Sequence, residues 1–364
     1  MTRAVSELAD DAPDSAADAS SLPLSSSIAA DTTGEAVKLV CRAILDQGIE
    51  YRSSAQSMNA HKRIREIFNC AVAVRAPARR VPRLSGGVLA FSPGLAAARF
   101  LYLLSGSDSY PQIAFYTNGA SRFAVGGESL PGSAYGARLF GPQENAFEHA
   151  ARTLMQRPNT KRASIPIFQP HDAAAALATP DLPCAFGLHF LVRDAGMISS
   201  ATMRANDAFK LLAYNLFEFS LLGECMAARV GAAHAAHVHT SVSMHLRDDG
   251  IAGAARLAPC RVADRATPRV LAFDESVREA VRTAEQGLRA LGRAPRPDRV
   301  LALVPKRLET GPWRDLLLAA ALASAAAEGS GEPAAEMMGA AIAAEMDALP
   351  LTACEIARQL GTPD

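Results

Sequence analysis

Cys184 follows Pro183 at the entrance of a strand-like run, and Arg204 lies on a second run that the intervening "RDAGM" folds back beside it. That order brings a guanidinium toward a thiol, and a neighbouring permanent cation lowers a thiol's pKa and favours the nucleophilic thiolate. A lone cysteine is more often a small inert core side chain, and Cys41, Cys70, Cys225, Cys260 and Cys354 have no comparable neighbourhood. A second group, His234, His237, His239 and His245, is closely spaced. On a strand the last three share one face with no acidic or cysteine ligand at hand, so no metal is expected, and a histidine here serves better as a hydrogen-bond partner in a pocket. The basic turn "TKR" at Lys161 and Arg162 is either a solvated turn or a phosphate clamp.

The elements that must position these groups follow from the spacing. Runs 185–193 and 196–204 read as a hairpin, and 206–230 reads as a long helix, apolar on nearly every face and so buried, with Arg204 and Asp207 at its opening. Upstream, "GEAVKLVCRAILDQG" is an amphipathic helix closed by glycine, "EIFNCAVAVR" and "GGVLAFS" read as strands, and "AAARFLYLLSG" and "NAFEHAARTLMQ" as helices. Residues 1–33 have the low hydrophobicity of a disordered tail, 34–273 form the main domain, and 274–364 read as a helical extension broken by "GRAPRPDR" and "EGSGEP".

The whole chain, 364 residues at 49% hydrophobic content, can bury one large core. Its 37 Lys+Arg against 37 Asp+Glu give no overall pull toward nucleic acid, so any phosphate binding must be local. Six scattered cysteines without CxxC pairs argue for reduced thiols. The absence of an N-terminal apolar h-region and of any uncharged apolar run of about 20 residues points to a cytoplasmic protein with no membrane partner.

Six segments in one order give the chain a resemblance to the thymidylate synthase family, which includes the pyrimidine nucleotide hydroxymethylases. They are "YLLSGSDS", "GSAYGARL", "NTKRASIPIFQP", "LPCAFGLHF", "MRANDAFKLLAYNLF" and "HTSVSMHL", spread over roughly residues 50 to 250. The resemblance implies an α/β (α+β) fold, a large mixed β-sheet covered by helices, paired back to back in a homodimer. It also implies folate-dependent one-carbon transfer, methyl or hydroxymethyl, from 5,10-methylenetetrahydrofolate to C5 of a pyrimidine nucleoside monophosphate. In that chemistry Cys184 adds to C6, and Arg204 serves both the thiolate and the nucleotide phosphate. Lys161 and Arg162 match the paired arginines that reach the phosphate across the dimer, Asp207 the carboxylate that holds the pterin, and Tyr135 the phenol near proton abstraction. Asn215 matches the amide that reads the pyrimidine edge and favours uracil, and His245 the histidine at the sugar. Departures are expected to matter. Arg99 stands at the family's relay glutamate, Ala185 and His189 follow the nucleophile in place of a histidine and a glutamine, and Ala205 and Ser243 replace further polar residues. Arg247 replaces the tyrosine that holds the deoxyribose hydroxyl, and "TACEIARQLGTPD" does not resemble the family's folate lid. Two alternatives stay open: a specialised ribonucleotide hydroxymethylase, hinted at by Arg247, and a nucleotide-binding relative that has lost turnover, hinted at by Arg99.

Overall fold

The computed structural model describes residues 24–53, 62–86, 89, 91–141 and 145–327. Seven strands form one sheet: β1 (Ser26–Ala30), β2 (Ile49–Arg52), β3 (Arg63–Val74), β4 (Ser164–Pro166), β5 (Ala185–Arg193), β6 (Gly196–Asp207) and β7 (His234–Arg247). Their order is β1-β3-β7-β6-β5-β4, with β2 also on β3. The sheet is mixed, because β1 runs parallel to β3 and β6 parallel to β7 while the other pairs are antiparallel. The helices are α1 (Thr33–Gln47), α2 (Pro93–Ser105), α3 (Tyr110–Ala114), α4 (Tyr135–Leu139), α5 (Ala146–Gln156), α6 (Pro170–Ala175), α7 (Leu212–Val230), α8 (Asp248–Arg256), α9 (Glu275–Ala290), α10 (Pro297–Leu301) and α11 (Trp313–Ala327).

Alternation on β6 buries Met197, Ser199, Ala201 and Met203. Helix α7 packs on β6 and β7, and every residue from Leu212 to Ala227 is buried, as an all-round apolar helix requires. Helix α1 lies on β3, while α11 and α9 pack on α2. The described part of the C-terminal helical segment therefore shares the core: a Cβ on Gly94 of α2 would sit 2.7 Å from the Ala319 carbonyl oxygen. The other sheet face is less covered. Ile198, Ser200 and Thr202 on β6 and Val238 and Thr240 on β7 are only half-buried, and Val242 is 42% exposed.

The structure shifts three expected boundaries. Strand β1 lies within the segment expected to be a tail, because β3 offers Cys70 to Val74 as a parallel edge that local composition cannot reveal. Strand β6 runs to Asp207, where the helix was expected to have begun, since its pairing with β7 continues through Asn206↔Met244 and Asp207↔His245. The helix starts only at Leu212. Within "GGVLAFS", Leu89 and Phe91 are buried outside any strand, and Phe91 packs on Tyr214 at 4.9 Å between ring centroids.

Candidate functional site

The β5–β6 hairpin sets Cys184 immediately before β5, with Ala185 opposite Met203. Arg204 clamps the approach to the cysteine. Its backbone N–H donates to the Cys184 carbonyl at 2.7 Å, and its guanidinium donates to the Pro183 and Leu182 carbonyls at 2.9 and 3.3 Å. The guanidinium is near enough to act on the thiol electrostatically, but its pull is not the larger effect. Burial pushes the Cys184 thiol up, Arg204 draws it down, Asp181 pushes it up again, and the sum stands above the ordinary value. Asp181 is buried because its Oδ2 accepts from the Gly132 and Ser133 N–H groups at 2.8 and 2.9 Å, tying that loop beneath the cysteine.

Tyr135 opens α4, and its hydroxyl accepts from the Ala185 N–H at 3.3 Å. Gly136 makes this approach feasible, because a Cβ there would fall 2.1 Å from the Leu103 carbonyl oxygen of α2. Burial first, then the adjacent Cys184, raise the Tyr135 phenol well above its usual range, so it is neutral at ordinary pH. The neighbouring α2 residue in this cluster is Arg99. It forms a bidentate ion pair with Glu218 of α7 through Nε and Nη2 and lies over the Tyr214 ring at 5.3 Å. Burial works against its charge, but Glu218 more than restores it. Glu218 is a site residue that sequence reading missed. The available signal was a carboxylate three positions beyond Asn215 in a largely apolar helix, whose other carboxylate is Glu224.

Asn215, one helical turn before Glu218, is buried and donates through Nδ2 to Asn206 Oδ1 at 3.1 Å and to the Met203 sulfur at 3.5 Å. Through Met203 it lies beside the strand pair that carries Cys184. Asn206 Nδ2 in turn meets His239 Nε2 at 2.8 Å.

Asp207 and Arg247 stand differently from expectation. Asp207 Oδ1 accepts from the Phe209 and Lys210 N–H groups at 3.1 and 2.9 Å, and Oδ2 accepts from Arg247 Nε at 2.8 Å. The carboxylate shapes the β6–α7 turn and is bound to its own cation. A ligand reaching Asp207 would have to share Oδ2 with Arg247. Arg247, with 11% of its side chain exposed, pairs with Asp207. His245 is beside this pair; burial lowers its pKa most, with Asp207 opposing and Arg247 assisting.

Lys161 and Arg162 are exposed in the turn before β4, and neither side chain makes a hydrogen bond or ion pair with the Cys184 cluster. Two histidines of β7 share one hydroxyl: Ser199 Oγ lies 2.8 Å from His234 Nε2 and 2.9 Å from His237 Nδ1, while His234 Nδ1, His237 Nε2 and His245 Nδ1 are buried without a hydrogen-bond partner among the described residues. Among the described residues no group of three or more His, Cys, Asp or Glu is gathered as a metal site would need. A separate cavity of about 230 Å³ lies by Glu224 and His234, and none of the Cys184 cluster lines it. The segment "TACEIARQLGTPD" and Cys354 lie outside the described residues.

Residues 131–276 match the sequence model of thymidylate synthase. A Methanocaldococcus jannaschii protein named "Putative thymidylate synthase" is 26% identical over 107 residues, covering 29% of this chain and 48% of its own. A "Deoxyuridylate hydroxymethyltransferase" of Bacillus phage SP01 is 26% identical over 197 residues, 51% of this chain and 51% of its own. The chain thus spans about half the length of the curated relatives it matches.

Proposed function

We propose that this chain, a divergent member of the thymidylate synthase family, transfers a one-carbon group to C5 of a uracil-type nucleoside monophosphate through a Cys184 adduct. The observation that carries the reading is the gathering of Cys184, Arg204, Tyr135 and Asn215 around the β5–β6 hairpin. The Cys184 thiolate adds to C6, the C5=C6 π pair moves toward C5 and O4, and the enolate-like C5 becomes the nucleophile. Loss of the C5 proton and expulsion of the thiolate then restore the ring. The neutral Tyr135 phenol is placed to exchange a proton beside Cys184, and Arg204 offers its remaining donors to the phosphate. Lys161 and Arg162 serve the phosphate of the second site in a homodimer formed through the half-covered sheet face.

The family generally uses methylenetetrahydrofolate as the donor. Arg247 engages Oδ2 of Asp207, the carboxylate that the resemblance assigns to the pterin, and the product proposed is a nucleotide carrying a one-carbon group at C5. A reading as a binding protein without turnover draws on Arg99, whose guanidinium cannot act as a general base; Glu218 beside it keeps a carboxylate in the cluster.

Release of tritium from C5-labelled deoxyuridylate, measured with and without methylenetetrahydrofolate, tests the proposal. Release that disappears in Cys184→Ser supports it, since a serine hydroxyl is a far poorer nucleophile at neutral pH. Undiminished release from that variant removes the mechanism, and nucleotide binding without release under any condition favours the binding protein.

A further inference from the structure

Three buried side chains behind the site form a directed chain of hydrogen bonds. His239, Asn206 and Asn215 are 0%, 2% and 5% exposed, and they come from β7, β6 and α7. Asn206 presents Nδ2, a donor only, to His239 Nε2, so in this arrangement Nε2 accepts and the ring proton sits on Nδ1, which is buried without a hydrogen-bond partner among the described residues. A neutral ring is what burial imposes, holding the His239 pKa down at about 4. With its nitrogen committed to His239, Asn206 has its oxygen toward Asn215. Asn215 Nδ2 answers as donor to that oxygen and to the Met203 sulfur. Both of its hydrogens have acceptors on the protein side, and Oδ1 is left as the group offered elsewhere.

We propose that Asn206 and His239 are positioning residues for base selection: they fix the Asn215 amide so that its carbonyl oxygen faces the pyrimidine edge. An acceptor there receives the N3–H of uracil and opposes the bare N3 lone pair of cytosine. The proposal rests on the reading above, in which Asn215 faces the base. Reversing the relay would turn the Asn215 nitrogen outward and exchange the preference, because mismatched polar edges in a buried site discriminate strongly.

Equilibrium binding of deoxyuridine and deoxycytidine monophosphates to the full chain and its variants tests this. Asn206→Leu and His239→Phe remove the relay's acceptors, and the uracil-to-cytosine affinity ratio is expected to fall about tenfold. Asn206→Asp and His239→Gln keep an oxygen acceptor at each step and are expected to keep the ratio, although a merely structural role would rank the buried Asp among the worst changes. If Asn206→Leu does not fold, His239→Phe reads the same relay. Asn215→Asp is the control. Should it shift the ratio while the relay variants lower both affinities equally, the relay is overturned and the reading of Asn215 stands. If Asn215→Asp leaves the ratio unmoved, Asn215 does not face the base, and the placement of the nucleotide falls together with the relay.

Discussion

Burial works against the activation of Cys184, the proposed nucleophile, and this sets how it should respond to pH. Its raised pKa means that the thiolate fraction is small at neutral pH and grows as pH rises. Alkylation of Cys184 by iodoacetamide, read by peptide mass against Cys184→Ser, should therefore still be accelerating at about pH 8.5, where an ordinary thiol is half ionised. Arg204→Gln should move the rise to still higher pH by removing the one cation that lowers it; a rate already level from neutral pH would contradict this balance. Asp207 carries a second residue-scale expectation. It accepts two turn N–H groups and pairs with Arg247 at 3% side-chain exposure. Removing one partner of a buried pair costs about 3–5 kcal/mol, so Asp207→Ala should lower urea-measured stability by about that much with no ligand present. A loss below about 1 kcal/mol would show that the carboxylate is held for a ligand instead.

Strand β7 brings four histidines into the fold, and their common environment gives the element a pH signature. Burial chiefly depresses His234 to about 3, His239 to about 4, His237 well below 6.5 and His245 to a lesser extent. Each is held neutral in the fold while the unfolded chain protonates near 6.5, so the unfolded state binds more protons below that value. This stability is fully present above pH 6.5 and is lost as pH falls toward 4, and thermal melting should show Tm falling across that window. His239→Gln should flatten part of the fall, and an identical pH slope in wild type and variant would exclude His239 from it. The same strand explains what the sequence could and could not show. The hairpin was legible because Asp194, Ala195 and Gly196 interrupt two alternating runs locally. The continuation of β6 beyond Arg204 to Asp207 was not, because it depends on β7, whose partner His245 lies far along the chain. Arg99 was legible as a cation where a carboxylate was expected. Its neutralisation by Glu218, 119 positions away, required the packing of α2 against α7. Likewise, Asp207 and Arg247 could each be assigned a ligand from sequence only because nothing there shows that they bind one another.

At the scale of the whole molecule, the proposed phosphate site is one that a single chain would leave incomplete. Lys161 and Arg162 stand exposed before the edge strand β4 without contact to Cys184, while the sheet face opposite α7 is half-covered and carries Val242 at 42% exposure. On the proposed homodimer through that face, each clamp would serve the partner's Cys184, a closed isologous exchange in which both sites draw on both chains. Two inactive variants then become complementary. A Cys184→Ser chain keeps a sound clamp, an Arg162→Ala chain keeps a sound nucleophile, and their heterodimer holds one complete site and one that lacks both. A statistical mixture places about half of the dimers in the mixed state, so with independent sites about a quarter of wild-type tritium release should return. Differently tagged chains purified in tandem after refolding isolate the heterodimer, whose release should be about half that of wild type per dimer. Isolated heterodimers as inactive as either parent would place the clamp and the nucleophile of each site on the same chain, whereas an Arg162→Ala homodimer as active as wild type would reduce Lys161 and Arg162 to a solvated turn.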